Sequence, residues 1–397
     1  SKDNVIRENA FYSNDNFGVS VSASSSGNTI YNNNFIANNN QANDANGSNT
    51  WNLAYPAGGN HWSDWTAPDV NGDGFVDDPY DITGAGGAQD AWPHTVSDGW
   101  LNSHPAQNVL NVDQGLWYET IQWAVTNATA GDTLYATAGT YNENVMVDKA
   151  LTIQGAGRDN TTIDGGGNGN VVNVTADWAN LTGLTMQNGG NSDPYAGIAI
   201  YGADHGNVSD CNVTGNNVGI WFWAASNNNT ISNCEIYSNS QYGIYLWQAA
   251  ENNTIDGCTV RANGIGITLG PAHYNAVTDN TVVQNTNAGI YLSGSRSNDV
   301  LRNNASSNSI GIYLWDNSDD NNVSDNDIML NTDTGLNVTS SNGNLLYHNS
   351  IMANTKQAWD NGTNNWNLSY PQGGNYWSDW TTPDVNGDGF VDDPYVI

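Results

Sequence analysis

The chain has 397 residues, of which 12% are charged, 10% are aromatic and 16 are tryptophan. Its 40 acidic residues against 8 Lys and Arg give a net charge of −32 at pH 7, so the surface repels nucleic acid and anionic membranes, whose phosphates bind through cationic side chains. The aromatic content and the low charged fraction exclude a disordered chain. No apolar run of about 20 residues is present, so we predict no membrane insertion in this segment.

Residues 1–50 consist of short apolar–polar alternations separated by turns rich in Asn and Ser. Residues 31–38 share the pattern of residues 347–354, near the end of the sequence. Alternation of period two between turn residues predicts strand–turn–strand units. We therefore interpret residues 1–50 as the terminal coils of a preceding repeat unit, of which a complete copy follows.

Residues 51–82 form a predicted closing module that returns as residues 366–397 with only five of 32 positions changed. Each copy contains an acidic loop with oxygen-bearing side chains at positions 1, 3 and 5, Gly at position 6 and a backbone carbonyl at position 7, as in the first half of an EF-hand calcium loop. Position 12 is Tyr80 or Tyr395 instead of Glu, so later aspartates would have to supply the missing carboxylates.

We predict a structural calcium ion in each of these loops, with an affinity on the order of 10⁻⁴–10⁻³ M. The alternative is a set of Asx turns without a metal. The predicted ligands are Asp69, Asn71, Asp73, the Phe75 carbonyl, Asp77 and Asp78 in the first loop, and Asp384, Asn386, Asp388, the Phe390 carbonyl, Asp392 and Asp393 in the second.

Residues 83–104 are rich in glycine and are interpreted as a connector, and residues 105–365 as a complete unit. Within that unit, residues 118–126 have helical spacing, with Ile121 and Val125 on one face. An uncovered solenoid end would recruit other strands. We therefore predict that a short helix covers the first coil and that the closing modules cover the other end.

The stretch 207–346 contains six segments that follow one template, and their aliphatic first residues lie 22 to 24 residues apart. Strands this short cannot form a lone sheet, so each turn of chain must lie on the next, about 4.8 Å away. The period thus predicts a parallel β-solenoid with right-handed crossovers. The predicted inward ladders are Ile220, Ile244, Ile267, Ile290, Ile312 and Leu336, and Phe222, Leu246, Leu269, Leu292, Leu314 and Val338.

The residues between the inward positions must point outward, and many of them are aromatic. We interpret them as an interaction surface, because contiguous exposed aromatic residues usually mark one. The surface could bind sugars by ring stacking or pack against another subunit. The alternative is that a loop or the connector covers these aromatic residues. The predicted residues are Trp221, Trp223, Tyr245, Trp247, Tyr291, Tyr313 and Trp315.

Three cysteines, Cys211, Cys234 and Cys258, recur at one phase of the repeat. They fit a metal or redox site or a buried ladder of small side chains, and we favour the ladder because free Cys is commonly buried. Sequons for N-glycosylation are abundant, and an exported chain is expected to carry glycan at several of them. They are Asn127, Asn160, Asn173, Asn180, Asn207, Asn212, Asn228, Asn252, Asn304, Asn322, Asn337, Asn361 and Asn367.

The order of motifs resembles that of the pectin-lyase-like right-handed parallel β-helix proteins. The helix is followed by Ala-Gly-Asp-Thr at 130–133, Ala-Gly-Thr-Tyr-Asn-Glu-Asn at 138–144, Leu-Thr-Ile-Gln-Gly at 151–155 and Asn-rich coils. Within that group the chain resembles the NosD-type repeats of archaeal surface proteins, and residues 366–380 are similar to their closing module. The resemblance implies an all-β right-handed parallel β-helix with a capping helix, and it says little about activity.

Catalysis has weak support in the sequence. Acidic-polysaccharide lyases need a basic residue to take a proton, but Arg261, Arg296, Arg302 and Lys149 lie in different phases of the repeat. A hydrolase needs paired carboxylates, and the only modest cluster is Asp204, His205 and Asp210. A copper site would need an exposed cluster of soft ligands, and the sequence contains no such cluster. We therefore expect no enzyme.

The sequence predicts a structural or adhesive protein of the cell exterior, stabilised by calcium, whose partners are copies of itself and possibly glycans. Matching modules near both ends suit open, non-closing contacts, which generate filaments, sheaths or layers. The alternative is a secreted carbohydrate-binding or polysaccharide-degrading β-helix protein.

Overall fold

The structure is a computed structural model of the 397-residue chain, and it describes all residues except 56, 71–73, 85, 98, 100–107 and 191–194. The chain divides into two compact units. Unit 1 contains residues 1–108 and 116–119, and unit 2 contains residues 109–115 and 120–397. In the described residues, no helix is long and apolar enough to cross a membrane.

Unit 1 is built from short strands that pair mainly in parallel. Four parallel pairings, β1 with β4, β2 with β5, β5 with β7 and β3 with β6, stack one coil on the next, whereas β8 and β9 are antiparallel. The strands are β1 (Val5–Arg7), β2 (Ala10–Tyr12), β3 (Phe17–Val21), β4 (Thr29–Tyr31), β5 (Asn34–Ile36), β6 (Asn40–Asp44), β7 (His61–Trp62), β8 (Tyr80–Asp81), β9 (Gln89–Asp90) and, later in the chain, β11 (Leu116–Tyr118).

Unit 2 opens with helix α1 (Ile121–Asn127), which packs against the first strands of the unit. The predicted helix began too early, at residue 118, because Tyr118 belongs to a strand. The helix starts where the Thr120 side chain accepts a hydrogen bond from the Trp123 amide at 3.1 Å. The Glu143 carboxylate also accepts hydrogen bonds from two amides of the first turn, each at 2.8 Å.

The rest of unit 2 is a right-handed parallel β-helix in which each turn gives one strand to each of three sheets. Sheet A contains β10 (Val109–Asn111), which is antiparallel to its neighbour, and then β12 (Thr133–Ala136), β15 (Thr152–Gly155), β18 (Asn180–Thr182), β21 (Asn207–Ser209), β24 (Thr230–Ser232), β27 (Thr254–Asp256), β30 (Ala276–Thr278), β33 (Asp299–Leu301), β36 (Asn322–Ser324) and β39 (Leu345–Tyr347).

Sheets B and C are parallel throughout. Sheet B contains β13 (Gly139–Asn142), β16 (Thr161–Asp164), β19 (Thr185–Gln187), β22 (Asn212–Thr214), β25 (Glu235–Tyr237), β28 (Thr259–Arg261), β31 (Thr281–Val283), β34 (Asn304–Ser306), β37 (Asp327–Met329), β40 (Ser350–Met352) and β42 (Tyr376–Trp377). Sheet C contains β14 (Val145–Val147), β17 (Val172–Val174), β20 (Ala196–Tyr201), β23 (Val218–Trp223), β26 (Tyr242–Trp247), β29 (Ile265–Gly270), β32 (Ala288–Ser293), β35 (Ile310–Trp315), β38 (Thr334–Thr339) and β41 (Lys356–Asp360).

The core of the helix is formed by stacked aliphatic side chains, as the period predicted. Both inward ladders of sheet C are confirmed, since every member from Ile220 to Val338 is fully buried and stands in register with its neighbours. The three cysteines are free and buried in a third ladder. In the next coil the ladder position is occupied by Asn280, whose Oδ1 accepts a hydrogen bond from the Cys258 amide at 2.8 Å.

Buried asparagines tie one coil to the next at the turns. In one ladder the side-chain amide of Asn298 donates to Asn321 Oδ1 at 3.0 Å, and that of Asn321 donates to Asn344 Oδ1 at 3.0 Å. Each of these side chains also accepts from a backbone amide of the preceding coil, as Asn321 does from the Asn298 amide at 2.9 Å. The Asn-rich composition thus supplies the hydrogen-bond partners that buried turns require.

Candidate functional site

The outward surface of sheet C carries most of the aromatic residues singled out from the sequence. Because side chains alternate along a strand, the residues between the inward pairs form an outward row: Ala199, Trp221, Tyr245, Thr268, Tyr291, Tyr313 and Asn337. A second outward row contains Trp223, Trp247 and Trp315. We call the aromatic members of both rows, together with Tyr242, the aromatic face.

The rings of the aromatic face pack in two clusters. In the first, Trp221 stacks on Trp223 with ring centroids 4.9 Å apart, and Tyr245 lies 4.5 Å from Tyr242 and 5.4 Å from Trp247.

In the second cluster, Tyr291 lies 5.3 Å from Tyr313 and 6.5 Å from Trp315. Most of the aromatic face is half-buried, whereas Trp315 is 40% exposed. Trp221 was expected to be an exposed contact residue, but it is only 8% exposed because the neighbouring rings and small residues pack around it.

A strand with small outward residues separates the two clusters. On β29 the outward positions are Thr268 and Gly270, and a Cβ at Gly270 would lie 3.2 Å from the Trp247 ring. The glycine therefore lets Trp247 lean across the coil. Two buried polar atoms of this surface, Trp221 Nε1 and Thr268 Oγ1, have no hydrogen-bond partner in the described part of the chain.

The strands beneath the aromatic face carry no charged side chain. This holds for the sequences of β23, β26, β29, β32, β35 and β38. In a protein with a net charge of −32, the face is thus an uncharged surface on an otherwise acidic molecule. Such a surface suits a neutral partner better than a charged one.

The second acidic loop is folded around its own side chains. Asp384 accepts hydrogen bonds from the Gly387 and Gly389 amides at 2.6 and 2.9 Å. Asn386 accepts from the Asp388 amide at 2.9 Å, and Asp392 accepts from the Val385 amide at 2.7 Å.

In the first loop, Asp69 accepts from the Gly74 amide at 3.0 Å and Asp77 from the Val70 amide at 2.6 Å. Asn71 and Asp73 lie outside the described residues. The Phe75 side chain is buried, whereas Asp77, Asp78 and Asp393 are exposed.

The donor chemistry of these loops fits calcium, which prefers carboxylate, amide and carbonyl oxygens. Among the described residues, however, no three His, Cys, Asp or Glu side chains lie together in a way that could hold a metal ion. Tyr395, at loop position 12, takes no ligand role: its hydroxyl donates to Asp379 at 3.1 Å and its ring stacks on Trp377 at 4.1 Å. Calcium binding stays a prediction.

The basic residues weighed for lyase chemistry are all engaged. Arg302 pairs with Asp279 at 2.7 Å, Arg296 with Asp319 at 3.2 Å and Arg261 with Glu235 at 3.8 Å. Lys149 donates to three carbonyls at the end of α1.

In the cluster considered above for hydrolase chemistry, Asp204 and His205 contact neighbouring turns. Asp204 accepts from the Asn227 amide at 2.6 Å, and the His205 ring stacks on Trp178 at 4.4 Å.

The predicted glycosylation sites differ in exposure. Asn212 is only 8% exposed and its side chain donates to Asp159 at 3.2 Å, so it presents no free amide for a glycan. The fully exposed sites are Asn127, Asn160, Asn228, Asn252, Asn361 and Asn367.

One structural feature escaped the sequence analysis. Residues 86–95, within the predicted connector, pack against the first closing module, and Asp90 and His94 are 0% and 2% exposed. The signal available in the sequence was the pair Trp92 and His94, which stand in a stretch that is otherwise glycine-rich.

Taken together, the stacked coils, the three parallel sheets and the helix that covers the first coil define a right-handed parallel β-helix protein. The sequence model of the family described as periplasmic copper-binding protein (NosD) matches residues 1–67 and 226–382, more than half of the chain. The chain belongs to this family, which confirms the resemblance seen in the sequence. The comparison with curated proteins gave no match.

Solved structures support the fold. Tailspike protein 2 of Escherichia coli O157:H7 bacteriophage CAB120 is 13% identical with a TM-score of 0.50 and covers 77% of this chain and 44% of its own. The A-module of mannuronan C-5 epimerase AlgE4 from Azotobacter vinelandii is 15% identical with a TM-score of 0.43 and covers 65% of this chain and 94% of its own. At such identities the likeness concerns the fold alone.

Proposed function

We propose that this chain is a structural and adhesive β-helix outside the cytoplasm and that the aromatic face is its binding surface. The observation that carries the proposal is the two clusters of mostly half-buried rings on strands that have no charged side chain. A contiguous apolar surface of this kind usually serves an interaction. The periplasmic location in the family's description agrees with such a role.

The ligand class that fits the face best is a neutral glycan. Tyr and Trp combine a flat apolar ring with a polar tip, so they can stack on a sugar ring and still bond to its hydroxyls. Trp223 shows the pattern, since its ring stacks on Trp221 while its Nε1 donates to Gln248 at 2.9 Å. The buried Trp221 Nε1 and Thr268 Oγ1 would gain partners from a hydroxyl-bearing ligand that displaced the rings above them.

Packing of two copies face to face is the competing explanation. Two copies of a chain with a net charge of −32 repel each other except where their surfaces are uncharged, and the repulsion weakens with salt. Self-association through the aromatic face should therefore depend steeply on ionic strength. Binding of a neutral glycan should not.

The test is titration of the whole chain with a panel of neutral and uronate polysaccharides, followed by tryptophan fluorescence. We expect binding to a neutral polysaccharide, and a loss of tenfold or more in the Tyr245→Ala, Trp247→Ala double variant, since about 1.4 kcal/mol corresponds to a factor of ten. Tyr274→Ala is the matched control, because Tyr274 is 60% exposed but lies off the face. No binding to any member, or equal binding by the double variant, would overturn the glycan proposal.

We also propose that calcium stabilises the closing modules. The support is that the same acidic loop occurs twice, and that backbone amides already hold Asp384, Asn386 and Asp392 in a compact turn. A bound ion would offset the repulsion between carboxylates on that turn.

The calcium proposal is tested by thermal unfolding with calcium and with a chelator. At a calcium concentration one hundred times the dissociation constant, one site adds about 2.7 kcal/mol. We expect the shift to shrink in Asp384→Ala, Asp388→Ala and to persist in Asp327→Asn, where the exposed aspartate lies on β37. An unchanged melting temperature on chelation would contradict the proposal.

The proposal contains neither a catalytic step nor a copper site. The epimerase likeness concerns the fold alone, and the three thiols are fully buried and donate to backbone carbonyls, as Cys234 does to the Ser232 carbonyl at 3.3 Å. Among the described residues, no three His, Cys, Asp or Glu side chains lie together in a way that could hold a metal ion.

A further inference from the structure

Strand β29 forms a recess in the aromatic face. Its outward residues Thr268 and Gly270 are small, whereas Tyr245 and Tyr291 flank Thr268 on the neighbouring strands. A Cβ at Gly270 would lie 3.2 Å from Trp247 Cε3 and 3.5 Å from Tyr245 Cε2. Both rings therefore lean from β26 over β29 and fill the recess.

A buried hydroxyl group lies beneath these rings. Thr268 stands in register with Tyr245 and with Tyr291, so its side chain points toward the aromatic face. It is nevertheless only 3% exposed, and its Oγ1 has no hydrogen-bond partner in the described part of the chain. A buried hydroxyl without a partner costs stability, and that cost is recovered only when a partner arrives.

A second unpartnered group lies on the other side of Tyr245. Trp221 stands in register with Tyr245 one coil before it, and its buried Nε1 has no acceptor among the residues that the structure describes. Trp221 and Thr268 are thus two coils apart, or about 10 Å, with Tyr245 between them. A ligand that lies across Tyr245 along the solenoid axis reaches both polar groups.

The outward row to which these residues belong is straight. Trp221, Tyr245, Thr268, Tyr291 and Tyr313 are neighbours on successive coils, so the row runs along the solenoid axis with a spacing of about 4.8 Å. A glycan follows such a row only if its own chain is extended, because a coiling chain leaves a straight surface within a few sugar units. The strands carry no charge, which favours a neutral sugar.

We propose that the aromatic face binds an extended neutral glycan along the solenoid axis and that Thr268 is its specificity-determining residue. On binding, the Tyr245 and Trp247 rings leave the recess and stack on the sugar units, and one sugar hydroxyl bonds to Thr268 Oγ1. A second sugar oxygen accepts a hydrogen bond from Trp221 Nε1. This inference rests on the proposed function of the aromatic face and deepens it.

The first arm of the test compares two linkages of the same sugar. Cello-oligosaccharides and malto-oligosaccharides are both glucose chains, but the former are extended and the latter coil. The full chain is titrated with cello-, manno-, chito- and malto-oligosaccharides and followed by tryptophan fluorescence. At least one of the three extended types should bind about tenfold or more tightly than the malto-oligosaccharides.

Two outcomes of this arm would contradict the inference. Equal or tighter binding of the malto-oligosaccharides would overturn the extended geometry. Absence of binding by all of these probes would overturn the inference together with the glycan-binding function on which it rests.

The second arm changes the hydroxyl group. Thr268→Val keeps the shape of the side chain but removes the unpartnered hydroxyl, so it should raise the melting temperature by about 1–2 °C. It should also weaken binding of the extended oligosaccharide by about tenfold or more. Thr268→Ser keeps the hydroxyl and should retain binding within about twofold. The matched control is Thr281→Val on β31 of sheet B, which should leave binding unchanged.

These readouts separate the inference from the proposed function. If Thr268→Val binds as tightly as the wild type while the Tyr245→Ala, Trp247→Ala double variant loses binding, the role of Thr268 is overturned and glycan binding stands. A lower melting temperature for Thr268→Val would show that its hydroxyl already has a partner, and this result would overturn the role of Thr268 as well.

Discussion

The two closing modules share almost all of their sequence but differ in burial. Their internal contacts are the same: Trp62 stacks on Tyr80 with ring centroids 4.1 Å apart, and Trp377 stacks on Tyr395 at 4.1 Å. Their exposed fractions nevertheless differ many-fold, as between Phe75 at 1% and its counterpart Phe390 at 36%. The module therefore folds from its own residues, whereas its burial depends on the segment that packs on it.

This comparison has a thermodynamic consequence. A buried hydrogen bond or ring contact contributes to stability only where its partner is present. Equivalent substitutions in the two modules should thus have unequal effects, and the difference measures the contribution of residues 86–95.

The largest difference is expected for alanine in place of the paired glycines. Gly59→Ala should expel the Asp90 carboxylate and cost about 3 kcal/mol, because overpacking and the loss of buried hydrogen bonds add together. Gly374→Ala should change the free energy of unfolding by no more than about 0.5 kcal/mol. Urea unfolding of both variants, followed by tryptophan fluorescence, measures the effect, and equal destabilisation would contradict the comparison.

A smaller difference is expected for the paired indoles. Trp62→Phe removes a hydrogen bond to the buried Asp90 carboxylate and should cost about 2 kcal/mol, since the acceptor is left unsatisfied. Trp377→Phe removes no such bond and should cost less than half as much. The same unfolding measurement applies. An equal or larger effect at Trp377 would contradict the comparison.

The pH dependence of the first module isolates the buried carboxyl. Burial raises the pKa of Asp90 from 3.8 to about 7, against the lowering effect of the hydrogen bonds from Asn60 and Trp62. A carboxyl with a raised pKa in the folded state contributes stability that is complete below pH 3.8 and is lost as the pH rises through about 7. Burial and the charge of His61 lower the pKa of His94, on the same segment, to about 4, which acts in the opposite direction.

Asp90→Asn removes only the carboxyl contribution. The stability difference between wild type and this variant should therefore be greatest near pH 4 and should shrink toward pH 8, by at most about 1.4 kcal/mol per pH unit. Urea unfolding at a series of pH values measures it. A difference that grows as the pH rises would contradict the assignment.

The smallest effect is expected at a position where the modules differ. Asp81 accepts a hydrogen bond from Gln89 Nε2 at 2.7 Å in an exposed position, and its counterpart is Val396. Asp81→Val should cost no more than about 0.5 kcal/mol, because exposed side-chain contacts contribute little. A cost above about 1.5 kcal/mol would show that the Gln89–Asp81 contact contributes more than an exposed hydrogen bond.

The sequence predicted the regular part of the molecule well. The period of about 23 residues placed Ile244 and Leu246 in buried ladders and Cys234 among them, because stacking forces equivalent residues into register. The predicted outward row was also in register, but the burial of Trp221 and Thr268 could not be read from alternation. It depends on how neighbouring rings lean across the coils, which is a matter of side-chain packing.

The packing of residues 86–95 could not be predicted from periodicity. These residues contain no repeat and lie in a glycine-rich stretch, so their composition indicated only a connector. What fixes them is complementarity with a folded surface: a carboxylate beside Gly59 and rings on Tyr55 and Phe75. Such complementarity becomes visible only when the partner surface exists.

The most direct measurement is hydrogen exchange of the two modules in one sample of the full chain. The amides of Asn60 and Val76 should exchange far more slowly than those of Asn375 and Val391, because only the former are hydrogen-bonded to residues 86–95. Equal exchange in the two modules would contradict the claim that the packing of residues 86–95 makes the difference between them.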